Sequence, residues 1–190
     1  IERIIMRALL SEKINDKFSL NIKTTDEPII EDDAVLIKVI ACGINYPDTL
    51  IIKDEYQIKP TRPFAPGGEI SGIIIKKGKK VVDWHNGDRV IAITTFGGLA
   101  EYVSCKADKL VKLPDGIPMA TGAGFLFTYG TAYHALHDRG RLTSNESVLV
   151  LGAAGGVGLA AVELAKAHGA SVIGAVSDEQ KKAAVLNAGA

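Results

Sequence analysis

The segment best suited to chemistry is Leu151-Gly152-Ala153-Ala154-Gly155-Gly156-Val157-Gly158. Small residues at this density let a backbone approach a bulky anion, because no side chain stands in the way. Read against G-x-G-x-x-G, the six positions are Ala153, Ala154, Gly155, Gly156, Val157 and Gly158. Gly155 would admit a pyrophosphate against the main chain, and Gly158 would let a helix pack closely on a strand. Ala153 departs from the strict first glycine. The competing reading is a small-residue turn that serves packing alone. The residues downstream bear on the choice of cofactor. NAD sites usually end the next strand with Asp or Glu, which pairs with the ribose hydroxyls. Here that position is Val176. Ser177 and Lys181 can instead hydrogen-bond and neutralise a 2′-phosphate, and a solvated helix lysine is the plain alternative for Lys181. Asp178 keeps NAD open, although past the strand end it suits a helix cap.

Such a turn needs a strand before it and a helix after it. Ser147–Leu151 is a short apolar run, typical of a parallel strand buried on both faces. A helix is expected from Val157 to His168, with Leu159 and Val162 set against Glu163 and Lys166, and Gly169 at its C-terminus. A second buried strand is expected over 171–176. A second helix is expected from Asp178 to Asn187, capped by Ser177 or Asp178. This βαβα order opens a doubly wound parallel sheet. The upstream chain reads as β-rich, with strands over 35–41, 69–75, 89–93, 101–104 and 109–113. Leu113-Pro114-Asp115-Gly116 closes that region, and Met119 to Arg139 suits helices interrupted at Gly130. The expected fold class is α/β: a β-rich domain over residues 1–122, then the first half of a Rossmann dinucleotide-binding domain over 123–190.

Composition narrows the possible partners. In 190 residues, 22 Lys+Arg balance 22 Asp+Glu, so the electrostatic footprint of a nucleic-acid or anionic-membrane binder is missing. Hydrophobic residues at 47% and charged residues at 23% match a globular chain and exclude wholesale disorder. No apolar run approaches the roughly 18 residues of a membrane span. Cys42 and Cys105 cannot build a disulfide framework and fit a reducing cytoplasm. The opening Ile1-Glu2-Arg3-Ile4-Ile5 lacks the basic head and long apolar stretch of a signal peptide.

Several further segments carry a resemblance. They are Cys42-Gly43-Ile44-Asn45-Tyr46-Pro47-Asp48, Tyr56 to Pro60, Pro63-Phe64-Ala65-Pro66-Gly67-Gly68-Glu69 and Gly87-Asp88-Arg89-Val90. Gly97-Gly98-Leu99-Ala100-Glu101-Tyr102, Thr128-Tyr129-Gly130-Thr131-Ala132-Tyr133 and the glycine turn follow in order. Together they resemble the medium-chain dehydrogenase/reductase superfamily, in its zinc-independent, zeta-crystallin-like quinone oxidoreductase branch. The resemblance implies a GroES-like first domain. It implies Asn45 at the active site, as a donor to a developing oxyanion or as a holder of the nicotinamide ribose, and Thr131 near the nicotinamide. A turn role for Asn45 and a helix-bonding role for Thr131 remain open. Many members carry a pocket tyrosine where this chain has Leu50. Tyr46 can supply the missing phenol, or it can be a packed aromatic.

No metal is expected. Zinc-binding members have Cys where this chain has Asn45, His where it has Gly68, and a further Cys around 124–128 where it has none. A catalytic zinc needs three N, S or O ligands. Cys42 reads as a buried strand thiol and Cys105 as structural. Asp48 and Glu69 read as buried structural supports. His134 and His137 read as surface or packing residues.

The expected function is NADPH-dependent hydride transfer to a quinone or similar electron-poor acceptor, which needs orientation and a hydrogen-bond donor. The cofactor set is Asn45, Thr131, Ala154, Gly155, Gly156, Val157, Gly158, Ser177 and Lys181, with Asn45 and Tyr46 as the catalytic pair. The alternatives are an enoyl-thioester or enone reductase of the same superfamily and a non-catalytic, crystallin-like NADPH-binding protein. A Rossmann sheet ordinarily has six strands, and only two are in view. The chain is therefore expected to be the N-terminal portion of a longer homodimeric enzyme, poorly active alone.

Overall fold

The computed structural model describes residues 5–190. The opening Ile1 to Ile4, part of the segment weighed above for a signal peptide, lies outside the described residues. The chain divides into two compact units, Ile1–Gly124 and Phe125–Ala190.

The first unit begins with an antiparallel hairpin, β1 (Ile5–Ile14) and β2 (Lys17–Asp26). Its two-residue turn, Asn15-Asp16, has positive φ at both positions, 49° and 60°. Asn and Asp tolerate that geometry better than most residues, and two-residue hairpins favour it. The strand expectations above omit this hairpin. Its signal is the alternation Phe18, Leu20, Ile22 after Asn-Asp, diluted by the polar residues between.

A five-stranded antiparallel sheet follows, in the order β6-β3-β4-β5-β7. Its strands are β3 (Ala34–Gly43), β4 (Glu69–Lys77), β5 (Arg89–Ile93), β6 (Tyr102–Lys106) and β7 (Leu110–Lys112). All five expected runs become strands, shifted by a residue or two at their ends. Val35, Ile37, Ile70, Ile74 and Val90 are fully buried and form the core. Each such side chain contributes about 1.5–3 kcal/mol on burial. Helix α1 (Tyr46–Ile52) leaves the end of β3, and α2 (Met119–Ala123) packs back on β3 and β4.

The second unit opens with a continuous helical run: wide π-type turns at Leu126–Gly130, α3 (Thr131–Tyr133), then π-type turns at His134–Arg139. Gly130 does not interrupt it. Its φ of −62° and ψ of −43° are helical. The break lies at Gly124, which ends α2. The parallel pair β8 (Ser147–Leu151) and β9 (Ser171–Ala175) is joined through α4 (Gly156–Ala167). Gly169, at φ +93°, turns the chain after α4. A short 3-10 turn at Glu179–Lys181 leads into α5 (Lys182–Asn187). Val150, Ala153, Val162 and Val185 form this unit's core.

Candidate functional site

The residues of interest form two groups, one in each unit. In the second unit, β8 runs into the glycine turn and α4 leaves it. The positive φ that the turn requires falls on Gly152, at +66°. Ala153 is fully buried, and its N–H donates to Ala175 O at 3.0 Å. The apparent departure from the motif therefore carries no strain. Gly152 is the turn glycine, and the motif alignment, anchored one residue later, passed over it.

The other glycines divide by what a side chain would meet. A Cβ on Gly158 would lie 2.3 Å from Gly152 O and 2.8 Å from Ala153 Cα. That glycine is needed for α4 to sit against the strand end. A Cβ on Gly155 would meet nothing closer than Gly152 O at 3.4 Å. Gly155 therefore keeps the turn open on its outer side, with Gly155 N–H bonded to Gly152 O at 3.0 Å. Over this side lies a cavity of about 420 Å³, lined by Gly152, Ala154, Gly155, Ala175, Val176, Ser177 and Lys181. Ala154, Gly155, Ser177 and Lys181 are thus brought to one cavity wall. Gly156, Val157 and Gly158 belong to the first turn of α4 and are not on it. An opening of this size between a bare backbone turn and a lysine fits a phosphate-bearing dinucleotide.

Lys181 is already engaged. Its Nζ donates to Ser177 Oγ at 2.8 Å and pairs with Asp178 Oδ2 at 3.0 Å. Ser177 Oγ donates to Asp178 Oδ2 at 3.1 Å. Asp178 Oδ1 accepts the Lys181 backbone N–H at 3.1 Å, so Asp178, not Ser177, caps the 3-10 turn, and the expected helix from Asp178 is α-helical only from Lys182. The Lys181 hydrogen bond, aided by Ser177, holds the Asp178 carboxyl below its ordinary range.

In the first unit, strand register builds the second group. Gly43 at the end of β3 pairs with Glu69 at the start of β4. Two residues on, Asn45 is the N-cap of α1, and its Nδ2 donates to Glu69 Oε2 at 3.3 Å. Glu69 is fully buried. Asp48, 4% exposed, accepts the Asn45 N–H on Oδ2 at 2.7 Å and the Gly67 N–H on Oδ1 at 3.0 Å. Two backbone donors satisfy this buried carboxylate and lock the loop that carries Asn45. Tyr46 is 75% exposed, so it is not a packed aromatic.

Cys42 is only partly buried, less than its reading as a buried thiol required. Burial, then the carboxylates of Asp48 and Glu69, push its thiol up to about 12. It is no nucleophile at neutral pH. Thr131 donates its hydroxyl back to Phe127 O, one turn earlier. His134 pairs with Asp138 at 2.9 Å, and His137 sits between the rings of Tyr133 and His168. Among the described residues, no three His, Cys, Asp or Glu side chains converge to hold a metal ion. No helix of the described residues is long and apolar enough to cross a membrane.

Comparisons with known proteins agree with this architecture. Residues 31–115 match the alcohol dehydrogenase GroES-like domain. A quinone oxidoreductase of Mus musculus is 42% identical over 164 residues, which is 86% of this chain and 50% of that protein. The quinone oxidoreductase of Thermus thermophilus, solved also in complex with NADPH, is 34% identical with a TM-score of 0.84, covering 97% of this chain and 58% of that one. The CurK enoyl reductase is 26% identical with a TM-score of 0.82, covering 97% of this chain and 57% of that one. The chain spans about half the length of the curated relatives it matches. With a GroES-like unit, a βαβ glycine turn and this likeness, the chain resembles quinone oxidoreductases of the medium-chain dehydrogenase/reductase superfamily over the part of their length that it spans.

Proposed function

We propose that the protein is an NADPH-dependent reductase that passes a hydride to a quinone or similar electron-poor acceptor, without zinc. The observation that carries this reading is the cavity that joins the bare glycine turn to Ser177 and Lys181. Gly152, Ala154 and Gly155 offer main chain to a pyrophosphate, and the N-terminus of α4 adds favourable dipole. Ser177 and Lys181 offer a hydroxyl and a cation to a 2′-phosphate. When bound, NADPH supplies the hydride. Asn45 and Tyr46 serve the reacting end as hydrogen-bonding groups, and Thr131 is proposed to face the nicotinamide with its remaining lone pairs. Asn45 and Gly68 stand where zinc-binding members carry ligands, which favours orientation and hydrogen bonding over Lewis-acid chemistry.

A second reading, an enone or enoyl-thioester reductase, is favoured by the likeness to the CurK enoyl reductase. A cytoplasmic homodimer is the proposed setting, and the two free cysteines suit it. Calorimetric titration with NADPH and NADH, for wild type and Lys181→Ala, tests the cofactor assignment. Weaker NADPH binding with NADH unchanged is expected; equal change in both, or in neither, refutes it. A panel of quinones, enones and enoyl thioesters then separates the two activities. NADPH binding without turnover on any of them marks a non-catalytic protein.

A further inference from the structure

The proposed reading uses Lys181 and Ser177 and leaves Asp178 without a part. Asp178 does not line the cavity. It already holds Lys181, at 3.0 Å from Nζ. Its carboxylate cannot swing away freely, because Oδ1 is bound to the Lys181 backbone N–H as the helix cap. Oδ2 is thereby aimed at Lys181 Nζ and Ser177 Oγ, the two groups proposed for a 2′-phosphate. A phosphate that reaches Lys181 must share it with this fixed negative charge. NADH, with a neutral ribose at that position, meets no such competition.

We propose that Asp178 is a specificity-determining residue: as the resident counter-ion of Lys181, it holds down the preference for NADPH over NADH. It acts through Lys181 and not by accepting a ribose hydroxyl, since it is off the cavity wall. The proposal rests on the reading of this cavity as the 2′-phosphate end of the cofactor site.

Asparagine caps helices as well as aspartate does, so Asp178→Asn removes the charge and keeps the cap. Titration of the full-length protein with NADPH and NADH provides the test. For Asp178→Asn, the NADPH dissociation constant is expected to fall about tenfold, while that of NADH moves by less than about twofold. The gain should shrink as salt is raised, because these charges are exposed. In a Lys181→Ala background, Asp178→Asn should bring no gain. An unchanged NADPH affinity in Asp178→Asn, or the same gain with Lys181 removed, overturns the proposal. Weakened NADH binding also overturns it, because Asp178 would then be a ribose acceptor. If Lys181→Ala alone leaves NADPH binding intact, the phosphate reading of the cavity is what fails. Asp178→Ser, a second uncharged cap, supplies the same comparison if the asparagine variant does not fold.

Discussion

Asn45 Nδ2 lies 3.3 Å from Glu69 Oε2, across 24 residues of sequence. An ionised carboxylate only accepts hydrogen bonds, so the amide nitrogen of Asn45 must face Glu69 and its Oδ1 must face away. The same side chain stands at the N-terminus of α1, where Asn45 and Asp48 form a capping box.

Glu69→Gln removes this constraint, since a glutamine amide can face Asn45 with either end. The expected result is a kcat/KM lower by about tenfold, with little change in thermal midpoint. Steady-state kinetics of the full-length protein beside a melting curve provide the check. Unchanged turnover would mean that the orientation of Asn45 does not matter to the reaction.

Two glycines of the turn should respond differently to the same methyl group. Gly158→Ala forces a Cβ to 2.3 Å from Gly152 O and should destabilise the second unit by about 1–3 kcal/mol. Gly155→Ala meets nothing closer than 3.4 Å and should fold normally. Its cost should appear as weaker NADPH binding, with the methyl group standing where a phosphate approaches. Denaturant unfolding and cofactor titration on both variants separate the two roles. A Gly155→Ala protein that binds NADPH as wild type does would place the phosphate elsewhere.

Both thiols should stay protonated well into alkaline solution. Burial is the first cause at each, raising Cys42 from 9.0 to about 12 and Cys105 from 9.0 to about 11. Each is held neutral in the folded chain at a pH where the unfolded chain ionises it. The unfolded state therefore binds fewer protons, and stability is lost as pH rises from about 9 through the folded values. The thermal midpoint should fall over this range, and less steeply in a Cys42→Ala/Cys105→Ala variant. Native alkylation at neutral pH should be slow until denaturant is added. Rapid labelling of Cys42 in the folded protein would contradict this picture.

Tyr129 donates a short hydrogen bond to Glu163, which joins the helical run before β8 to α4. That bond, then burial, raises the phenol above its ordinary value. Glu163→Gln should bring the spectroscopic titration of this tyrosine back toward a free phenol. Tyr129→Phe should cost about 0.5–1.5 kcal/mol, as for one partly exposed hydrogen bond. A phenol titration that ignores Glu163→Gln would show that the two groups do not interact in solution.

Much of the fold was legible along the chain. The five sheet strands from β3 to β7, the parallel pair and α4 follow from apolar runs and helical spacing, but the pair is not buried as its apolar run implied, since Leu149, Leu151 and Ile173 are exposed. The glycine turn between β8 and α4 was legible as well. Its registration was not legible. Ala153 looked like a flaw until backbone dihedrals put the positive φ on Gly152. Gly130 looked like a break, yet a glycine with nothing within 4 Å of its Cβ position continues a helix at a modest cost in propensity. The hairpin β1–β2 was hidden because its polar residues weaken the apolar alternation that marks a strand.

The side-chain partnerships belong to the tertiary structure alone. Sequence spacing says nothing of Asn45 meeting Glu69. That contact exists because β3 and β4 pair in a register that sets Gly43 opposite Glu69, and register is decided by the whole strand packing on the core. Lys181 and Ser177 were readable as candidates from residue type and position. That Asp178 already holds Lys181 was decided only when its carboxylate took up the helix-cap position, which fixes where its second oxygen points. Residue types set which chemistry is possible here. Folding decided which donors and acceptors were left facing outward, because every buried polar group first takes the partner that packing brings to it.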